Sequence, residues 1–163
     1  MKKMILFLVL LSACTTTNTR YAPRTQYATP TKASKILVTK SDRQMMLLDE
    51  YGNVMKQYDV RIGLHDGPKQ CEGDMKTPEG IYHIISKRDS KYVKFLELDY
   101  PQAKDIERAR ELGCKPGNAI GIHAYYPGDP REGSQGCISV WTADEILEIN
   151  ELVPYGTTVE ITE

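Results

Sequence analysis

Two residues of this sequence have side chains that could carry out catalysis together, a histidine and a cysteine at the two ends of one loop. His123 follows the short apolar run 119–122, and Cys137 precedes a second run, 138–140. If these runs are rigid strands, the loop can turn the imidazole toward the thiol and let it accept the thiol proton. The thiolate is the nucleophilic form of cysteine and can attack a peptide carbonyl. Gly136, directly before the cysteine, would let backbone N–H groups approach a substrate closely.

The same residues have a simpler interpretation, in which the loop is exposed and the cysteine only packs. Free cysteine commonly behaves as a small hydrophobic residue, so a lone His–Cys pair does not establish a catalytic site. His65 lies in a polar loop and His83 in a predicted strand, and both are weaker candidates for a catalytic base. What distinguishes His123 and Cys137 is the longer pattern of residues around them.

That longer pattern resembles the active-site signature of the L,D-transpeptidase (YkuD-domain) family of cell-wall enzymes. The matching residues are His123, the gap that follows it, and Ser134-Gln135-Gly136-Cys137-Ile138. Two further blocks match, and they contain Gly67-Pro68-Lys69, Gly73-Asp74, the run Lys76 to Tyr82, Leu98-Asp99-Tyr100-Pro101, Asp105 and Gly117. These two blocks are most similar to the branch that includes murein-peptide hydrolases and amidases. The resemblance spans about residues 35 to 162.

The expected fold is mostly β with α, that is, α+β. Apolar runs separated by turns predict roughly seven strands, over residues 36–38, 45–48, 54–62, 80–86, 95–98, 138–140 and 157–161. Helical spacing predicts helices over 103–112 and 143–153, the second beginning at a capping box of Thr142 and Glu145. Hairpins without β-α-β alternation favour a mostly antiparallel sheet with two marginal helices. The resemblance implies a β-sandwich or pseudo-barrel with the cysteine at one edge of a groove.

The resemblance also implies roles for residues near the catalytic pair. Cys137 would be the nucleophile and His123 its base, with the imidazole oriented by the backbone carbonyl of Ala124. Ser134 would brace the turn or contact the substrate. The backbone N–H groups of Gly136 and Cys137 are candidates for an oxyanion hole, where each donor typically contributes about 3–4 kcal/mol to transition-state stabilisation.

Two positions depart from the family pattern. Many members have histidine where Gln135 stands, although the murein-hydrolase branch is looser there, and arginine or asparagine where Ser139 stands. Without an arginine at position 139, another group would have to hold the carboxylates of the substrate. Arg131 in the preceding loop is one candidate, and an unchanged KM after Arg131→Ala would contradict that role.

The first residues are typical of a secretory signal rather than of a folded element. Residues 1–13 combine a positive start, an apolar stretch too short to span a bilayer, and Leu-Ser-Ala before Cys14. This ending resembles a bacterial lipobox, so we expect lipidation of Cys14; an ordinary cleaved signal with a coincidental cysteine is the alternative. Residues 14–34 would be a flexible tether and residues 35–163 the catalytic domain. The expected location is periplasmic, lipid-anchored to a membrane, with Thr15 favouring the outer membrane.

The two remaining cysteines are candidates for a disulfide. Cys71 and Cys114 could form a disulfide in an oxidising periplasm, provided that their Cα atoms lie about 4.4–6.8 Å apart.

No Cys-x-x-Cys or His-x-x-x-His spacing occurs, so we predict no metal site, and no cofactor is implied. The net charge is −1 with acids and bases interspersed, which argues against a nucleic-acid partner.

The function that the resemblance implies is cysteine-dependent acyl transfer on peptidoglycan stem peptides, through a thioester, in cell-wall remodelling. An amine acceptor would make the protein an L,D-transpeptidase. A water acceptor would make it an L,D-carboxypeptidase, or an amidase whose partner is a murein-bound lipoprotein that it releases. A third hypothesis is a catalytically inert, lipid-anchored module that binds the cell wall. No motif of this chain distinguishes the acceptor.

Overall fold

The computed structural model describes residues 32–126 and 133–163. Eight strands and two helices follow one another within these ranges. They are β1 (Lys35–Thr39), β2 (Gln44–Leu48), β3 (Val54–Arg61), β4 (Gly80–Ser90), β5 (Val93–Leu98), α1 (Ala103–Glu111), β6 (Gly121–Ala124), β7 (Ile138–Val140), α2 (Ala143–Leu152) and β8 (Thr158–Thr162). Neither helix has the length and apolar character needed to cross a lipid bilayer.

The strands form one closed barrel in the order β1-β2-β3-β7-β6-β5-β4-β8. Neighbours are antiparallel except for two pairs, β1 with β8 and β6 with β7, which are parallel. The predicted α+β fold, mostly β with two helices, is confirmed. The parallel β6–β7 pair does not follow from hairpin signals, because parallel neighbours need a long connection. Thirteen residues separate Ala124 from Ile138 in sequence, and the candidate cysteine is the last of them.

Alternating side chains of the strands fill the barrel interior. Ile36 and Val38 in β1, and Met45 and Leu47 in β2, are fully buried, whereas the residues between them are only partly buried. This is the two-residue period of a strand with one face on the core. The strands β6 and β7 differ, because every residue in them is buried. His123 therefore lies in one of the most enclosed strands of the barrel, and Cys137 lies directly before the other.

The second helix packs on the strand that carries His123. α2 buries Ile146, Ile149 and Leu152, which recur at helical spacing, and it contacts β5 and β6. Its start is the predicted capping box. The Thr142 hydroxyl accepts a hydrogen bond from the Glu145 N–H at 3.2 Å, and the Glu145 carboxylate accepts one from the Thr142 N–H at 2.8 Å.

The folded part begins before residue 35. The Ala33 side chain is buried and its N–H donates to the Leu152 carbonyl at 2.9 Å, while the Ser34 N–H donates to the Leu48 carbonyl at 2.9 Å. Residues 33 and 34 thus pack on the barrel, although the sequence places them in the tether of residues 14–34. Cys14, the predicted signal and the rest of that tether lie outside the described residues.

The connection from β3 to β4 has no helix or strand, as its glycines and prolines predict. The carboxylate of Asp74 organises it, because this carboxylate accepts a hydrogen bond from Lys69 Nζ at 2.9 Å and from three backbone N–H groups, those of Gln70, Cys71 and Lys76. Burial alone would raise the pKa of Asp74, but these donors outweigh it and hold the pKa below its ordinary value. The loop therefore has a definite shape around one ionised carboxylate.

A disulfide ties this loop to the end of α1. Cys71 and Cys114 are joined, and their Cα atoms lie 5.8 Å apart, within the range that the bond requires. Beside the disulfide, the Glu72 N–H donates to the Lys115 carbonyl at 2.7 Å. The predicted pairing of the two cysteines is confirmed.

Candidate active site

Closure of the barrel brings His123 and Cys137 to the same cleft. His123 lies in β6, and Cys137 is the residue directly before β7. The parallel pairing of these strands places Ile122 opposite Ile138 and His123 opposite Ser139. Both candidate side chains line a cleft of about 860 Å³ on the barrel surface. Cys137 thus directly precedes the strand that pairs with the one carrying the histidine.

The imidazole of His123 is held in one tautomer by the backbone carbonyl of the next residue. The ring is buried, and its Nδ1 lies 2.7 Å from the carbonyl oxygen of Ala124. A carbonyl only accepts hydrogen bonds, so Nδ1 carries the proton and Nε2 keeps its lone pair. This is the orienting contact expected of Ala124. Burial, with smaller contributions from Arg61 and Lys91, holds the pKa of His123 below its ordinary value, so the ring is neutral near pH 7.

The thiol of Cys137 is half-buried and protonated in this arrangement. Its Sγ donates to the Ala119 carbonyl oxygen at 3.6 Å. Burial raises the pKa of the thiol above its ordinary value, against the opposing effects of the Gly121 N–H and of Lys69. Both members of the pair are therefore uncharged at rest. A preformed thiolate–imidazolium pair is therefore not favoured in this cleft.

Ser134 braces the turn before the cysteine, which is the first of the two roles considered for it. Its hydroxyl donates to the Cys137 carbonyl and accepts from the Gly136 N–H at 2.9 Å. This second bond corrects one expectation: the Gly136 N–H is occupied by Ser134 and is not directed at a substrate. Of the two N–H groups considered for an oxyanion hole, that of Cys137 remains the candidate.

Position 136 requires glycine for two reasons that the structure makes explicit. Its φ is +127°, a conformation that residues with a side chain rarely adopt, and a Cβ there would lie 2.6 Å from the Lys76 carbonyl oxygen. Lys76 belongs to the β3–β4 loop. The cysteine turn and that loop therefore pack backbone against backbone along one wall of the cleft.

Only some of the other residues considered in the sequence line the cleft. Gln135 is exposed and Ser139 is buried, and both line the cleft. Arg131, one candidate to replace the arginine missing at position 139, lies outside the described residues. His65 and His83 do not line the cleft: His65 Nδ1 lies 2.9 Å from the Asp74 carbonyl oxygen, and His83 Nδ1 lies 3.1 Å from Asp99 Oδ2.

Arg61 is a cleft residue that the sequence reasoning missed. It is the last residue of β3 and pairs with Ser139 across the β3–β7 register. Only 5% of it is exposed, and its guanidinium lies 4.3 Å from the centre of the Tyr125 ring, with Nη2 3.4 Å from the Gly133 carbonyl oxygen. The sequence offered one signal for this residue, its position between the apolar residues Val60 and Ile62. An arginine in such a strand is expected to be buried, and a buried arginine needs partners.

Two aromatic rings beside His123 were also missed. Tyr92, in the turn between β4 and β5, stacks on the imidazole with ring centres 4.2 Å apart and planes 29° apart. Phe95 pairs with His123 across the β5–β6 register, with ring centres 5.9 Å apart. No spacing along the chain could have found these contacts, because they depend on which strands become neighbours in the barrel.

Comparison with known proteins places this geometry in a family. A model of the YkuD L,D-transpeptidase catalytic domain matches residues 33–161. The YafK protein of Escherichia coli (strain K12), named as a candidate L,D-transpeptidase, is 40% identical over 72 residues, which are 42% of this chain and 27% of YafK. The helical cell shape determining protein Pgp2 from Campylobacter jejuni matches with a TM-score of 0.64 and 23% identity.

Other solved structures share the barrel. Bd1075 of Bdellovibrio bacteriovorus has a TM-score of 0.60 and 25% identity over 81% of this chain. The catalytic domain of the Enterococcus faecium L,D-transpeptidase has a TM-score of 0.54 and 20% identity, and the match covers 80% of this chain and 98% of that domain. The match to Pgp2 covers 82% of this chain, and the chain spans 48% of both Pgp2 and Bd1075. Since the family model extends over almost all of the described barrel and solved L,D-transpeptidase domains have its architecture, the chain belongs to the YkuD L,D-transpeptidase catalytic domain family.

Proposed function

We propose that this domain catalyses cysteine-dependent acyl transfer on peptidoglycan stem peptides, through a thioester on Cys137. The observation that carries the proposal is the state of the histidine. Because the Nδ1–H of His123 donates to the Ala124 carbonyl, Nε2 is the basic atom of the ring, and the ring shares its cleft with the Cys137 thiol. A neutral base next to a protonated thiol is the starting state that general-base activation needs.

The reaction would proceed in two transfers. Nε2 of His123 accepts the thiol proton while Sγ of Cys137 bonds to the carbonyl carbon of the donor peptide. The C–N bond then breaks, His123 gives the proton to the leaving amine, and a thioester remains on Cys137. In the second transfer the acceptor loses a proton to His123 as it attacks the thioester carbon, and the thiol forms again.

The charge of the cleft supports an anionic donor. Its described lining includes four cationic side chains against one acidic one, namely Arg61, Lys69, Arg88 and Lys91 against Glu72. Lys69 lies 2.9 Å from the Asp74 carboxylate and Arg88 3.8 Å from that of Glu97, so part of this positive charge is balanced within the protein. Stem peptides carry several carboxylates, and guanidinium groups bind carboxylates through paired, charge-assisted hydrogen bonds.

Two alternatives use the same cleft. With water as acceptor, the same pair would hydrolyse the thioester, as an L,D-carboxypeptidase or an amidase that releases a murein-bound lipoprotein. The sequence blocks similar to the murein-hydrolase branch favour this second candidate. An inert wall-binding module would instead leave Cys137 unreactive.

The products on purified peptidoglycan separate these functions. The full chain and its Cys137→Ala variant would be incubated with the same sacculi, and the muropeptides identified by mass spectrometry. New crosslinked dimers that require Cys137 would establish transpeptidation. Shortened stems, or released lipoprotein remnants without new crosslinks, would establish a hydrolase. Identical products from the two proteins would refute acyl transfer and leave wall binding.

Arg61 is expected to hold a carboxylate of the donor, because it lies beside Ser139, where many family members have arginine or asparagine. Arg61→Met should raise KM about tenfold with a smaller change in kcat, since loss of one charge-assisted contact of about 1.4 kcal/mol corresponds to that factor. Arg110→Met, an exposed arginine on α1, is the matched control. An unchanged KM for Arg61→Met together with a raised KM for Arg131→Ala would assign the role to Arg131 instead.

We also propose that the mature protein is periplasmic and attached to a membrane through a lipid on Cys14. The support is the signal-like sequence of residues 1–13 and the lipobox-like residues before Cys14. Membrane fractionation tests this: the chain should leave the membrane fraction in Cys14→Ala, and retention of that variant would contradict a lipid anchor.

A further inference from the structure

The turn between β4 and β5 makes an unusual set of contacts with the base. The ring of Tyr92 stacks on the imidazole of His123 at 4.2 Å between centres, although Tyr92 is in neither strand that carries the catalytic pair. Phe95, from the neighbouring strand, adds a second ring contact at 5.9 Å. Ring contacts at these distances contribute about 0.5–1.5 kcal/mol each beyond simple burial, enough to favour one orientation of the imidazole.

The backbone of the turn is bonded to the residue that orients the imidazole. The Tyr92 carbonyl accepts a hydrogen bond from the Ala124 N–H at 3.4 Å, and the Ala124 carbonyl accepts one from His123 Nδ1 at 2.7 Å. Tyr92 is itself fixed within the turn, because its N–H donates to Ser90 Oγ at 3.1 Å and its carbonyl accepts from the Lys94 N–H at 2.9 Å. The ring and the main chain of Tyr92 therefore act on the same imidazole.

The residue after Tyr92 has a strained backbone. Val93 has a φ of +71°, which is an outlier for a β-branched residue and costs about 1–3 kcal/mol. Glycine is the usual residue where a hairpin turn needs this conformation. Strain of this size persists only where surrounding contacts determine the conformation, and such positions concentrate at functional sites. Tyr92, the residue directly before Val93, makes two such contacts, one with His123 and one with Ala124.

We propose that Tyr92 is a positioning residue for the catalytic base: its ring holds the imidazole in the rotation that directs Nε2 toward the Cys137 thiol and keeps water off one face. The proposal rests on the proposed roles of His123 and Cys137, and it adds a residue that the active-site sequence pattern does not contain. Tyr92 forms no bond to substrate in this role. It acts only through His123.

The charged and titratable groups that face the imidazole come from several elements. Arg61 approaches from β3, Lys91 from the β4–β5 turn and the Cys137 thiol from the start of β7. Lys91 Nζ lies 5.0 Å from the centre of the Tyr92 ring, so a variant that removes the ring also changes the surroundings of this lysine. Tyr92→Phe keeps the ring and is therefore the matched control for Tyr92→Ala.

The test is an NMR titration of the imidazole, which needs no substrate. In the full chain labelled with ¹⁵N, the His123 signals are assigned by their loss in His123→Gln, and the ¹⁵N shifts report both protonation and tautomer. The wild type and Tyr92→Phe should show one neutral tautomer, with the proton on Nδ1. Tyr92→Ala should show a mixture of tautomers and a midpoint at higher pH, because water then reaches the ring and burial no longer lowers its pKa as much.

A kinetic measurement adds a second readout. With a stem-peptide substrate, Tyr92→Ala should lower kcat about tenfold and leave KM nearly unchanged, because a misdirected base slows the chemical step without affecting binding. If Tyr92→Ala does not fold, Tyr92→Leu replaces it, since leucine keeps apolar volume without a flat ring. A folded Tyr92→Ala or Tyr92→Leu with the wild-type midpoint and a single tautomer would overturn the proposal. Absence of activity on stem peptides would refute the proposed function but would leave the NMR result valid.

Discussion

Replacing His123 with glutamine is expected to lower the rate constant for acylation of Cys137 by about 10²- to 10⁴-fold, the usual contribution of a positioned general base. The reason is the resting state of the thiol. Burial keeps Cys137 protonated, and the sulfur becomes nucleophilic only if a neighbouring group removes its proton. His83→Gln, which changes a histidine outside the cleft, should acylate at the wild-type rate. Equal rates for wild type and His123→Gln would show that His123 is not the base.

The acylation rates of the wild type and of His123→Gln should depend differently on pH. Because burial holds the pKa of His123 below its ordinary value, the wild-type rate should rise with pH only in the acid range, where the imidazole loses its proton, and be level through neutral pH. Burial raises the pKa of the Cys137 thiol above its ordinary value, so free thiolate is scarce until alkaline pH. In His123→Gln the residual rate should therefore climb about tenfold per pH unit through neutral pH, since it depends on thiolate formed by solvent. A level neutral region in the variant would contradict this mechanism.

Removing the disulfide is expected to lower the free energy of unfolding by about 4 kcal/mol in the chain-entropy model, in which a longer closed loop gives a larger effect. Cys71 and Cys114 are 43 residues apart in sequence, so their bond closes a loop that runs from the β3–β4 connection to the end of α1. A loss of about 4 kcal/mol is a large part of the roughly 5–15 kcal/mol that typically stabilises a domain. Guanidinium unfolding of Cys71→Ser/Cys114→Ser measures it.

The design of that experiment has to separate the disulfide from the reactive thiol. Both proteins would carry Cys137→Ala, so that thiol exchange cannot occur at the cleft. Reducing the parent protein should reproduce the midpoint of the double variant, because both then lack the same bond. Equal midpoints for the oxidised parent and the double variant would show that the bond adds no stability.

Loss of the disulfide should also affect the cleft, since the loop that it anchors forms part of the wall. Glu72 and Gly73, directly after Cys71, line the cleft, and Lys76 of the same loop packs against Gly136. The Asp74 carboxylate still organises this loop through its own hydrogen bonds. The wall would therefore loosen in the variant rather than disappear.

The sequence by itself determined the features that depend on neighbours along the chain. The strands predicted at residues 36–38 and 45–48, the capping box of Thr142 and Glu145 and the long β3–β4 loop are local features, and the structure confirms them. The resemblance around His123 and Cys137 likewise identified the family, because its residues lie within one loop and its flanking strands. It also led to the orienting contact at Ala124, which joins residues adjacent in sequence.

Only the tertiary structure decided which distant residues surround the histidine. Arg61 faces Ser139, Phe95 faces His123 and Tyr92 stacks on the imidazole because the strands close into a barrel in one register. The parallel pairing of β6 and β7 was also decided by the tertiary structure, because the sequence of neither short strand specifies its neighbour. The physical reason is that local propensity acts over a few residues, whereas strand pairing depends on the packing of the whole barrel.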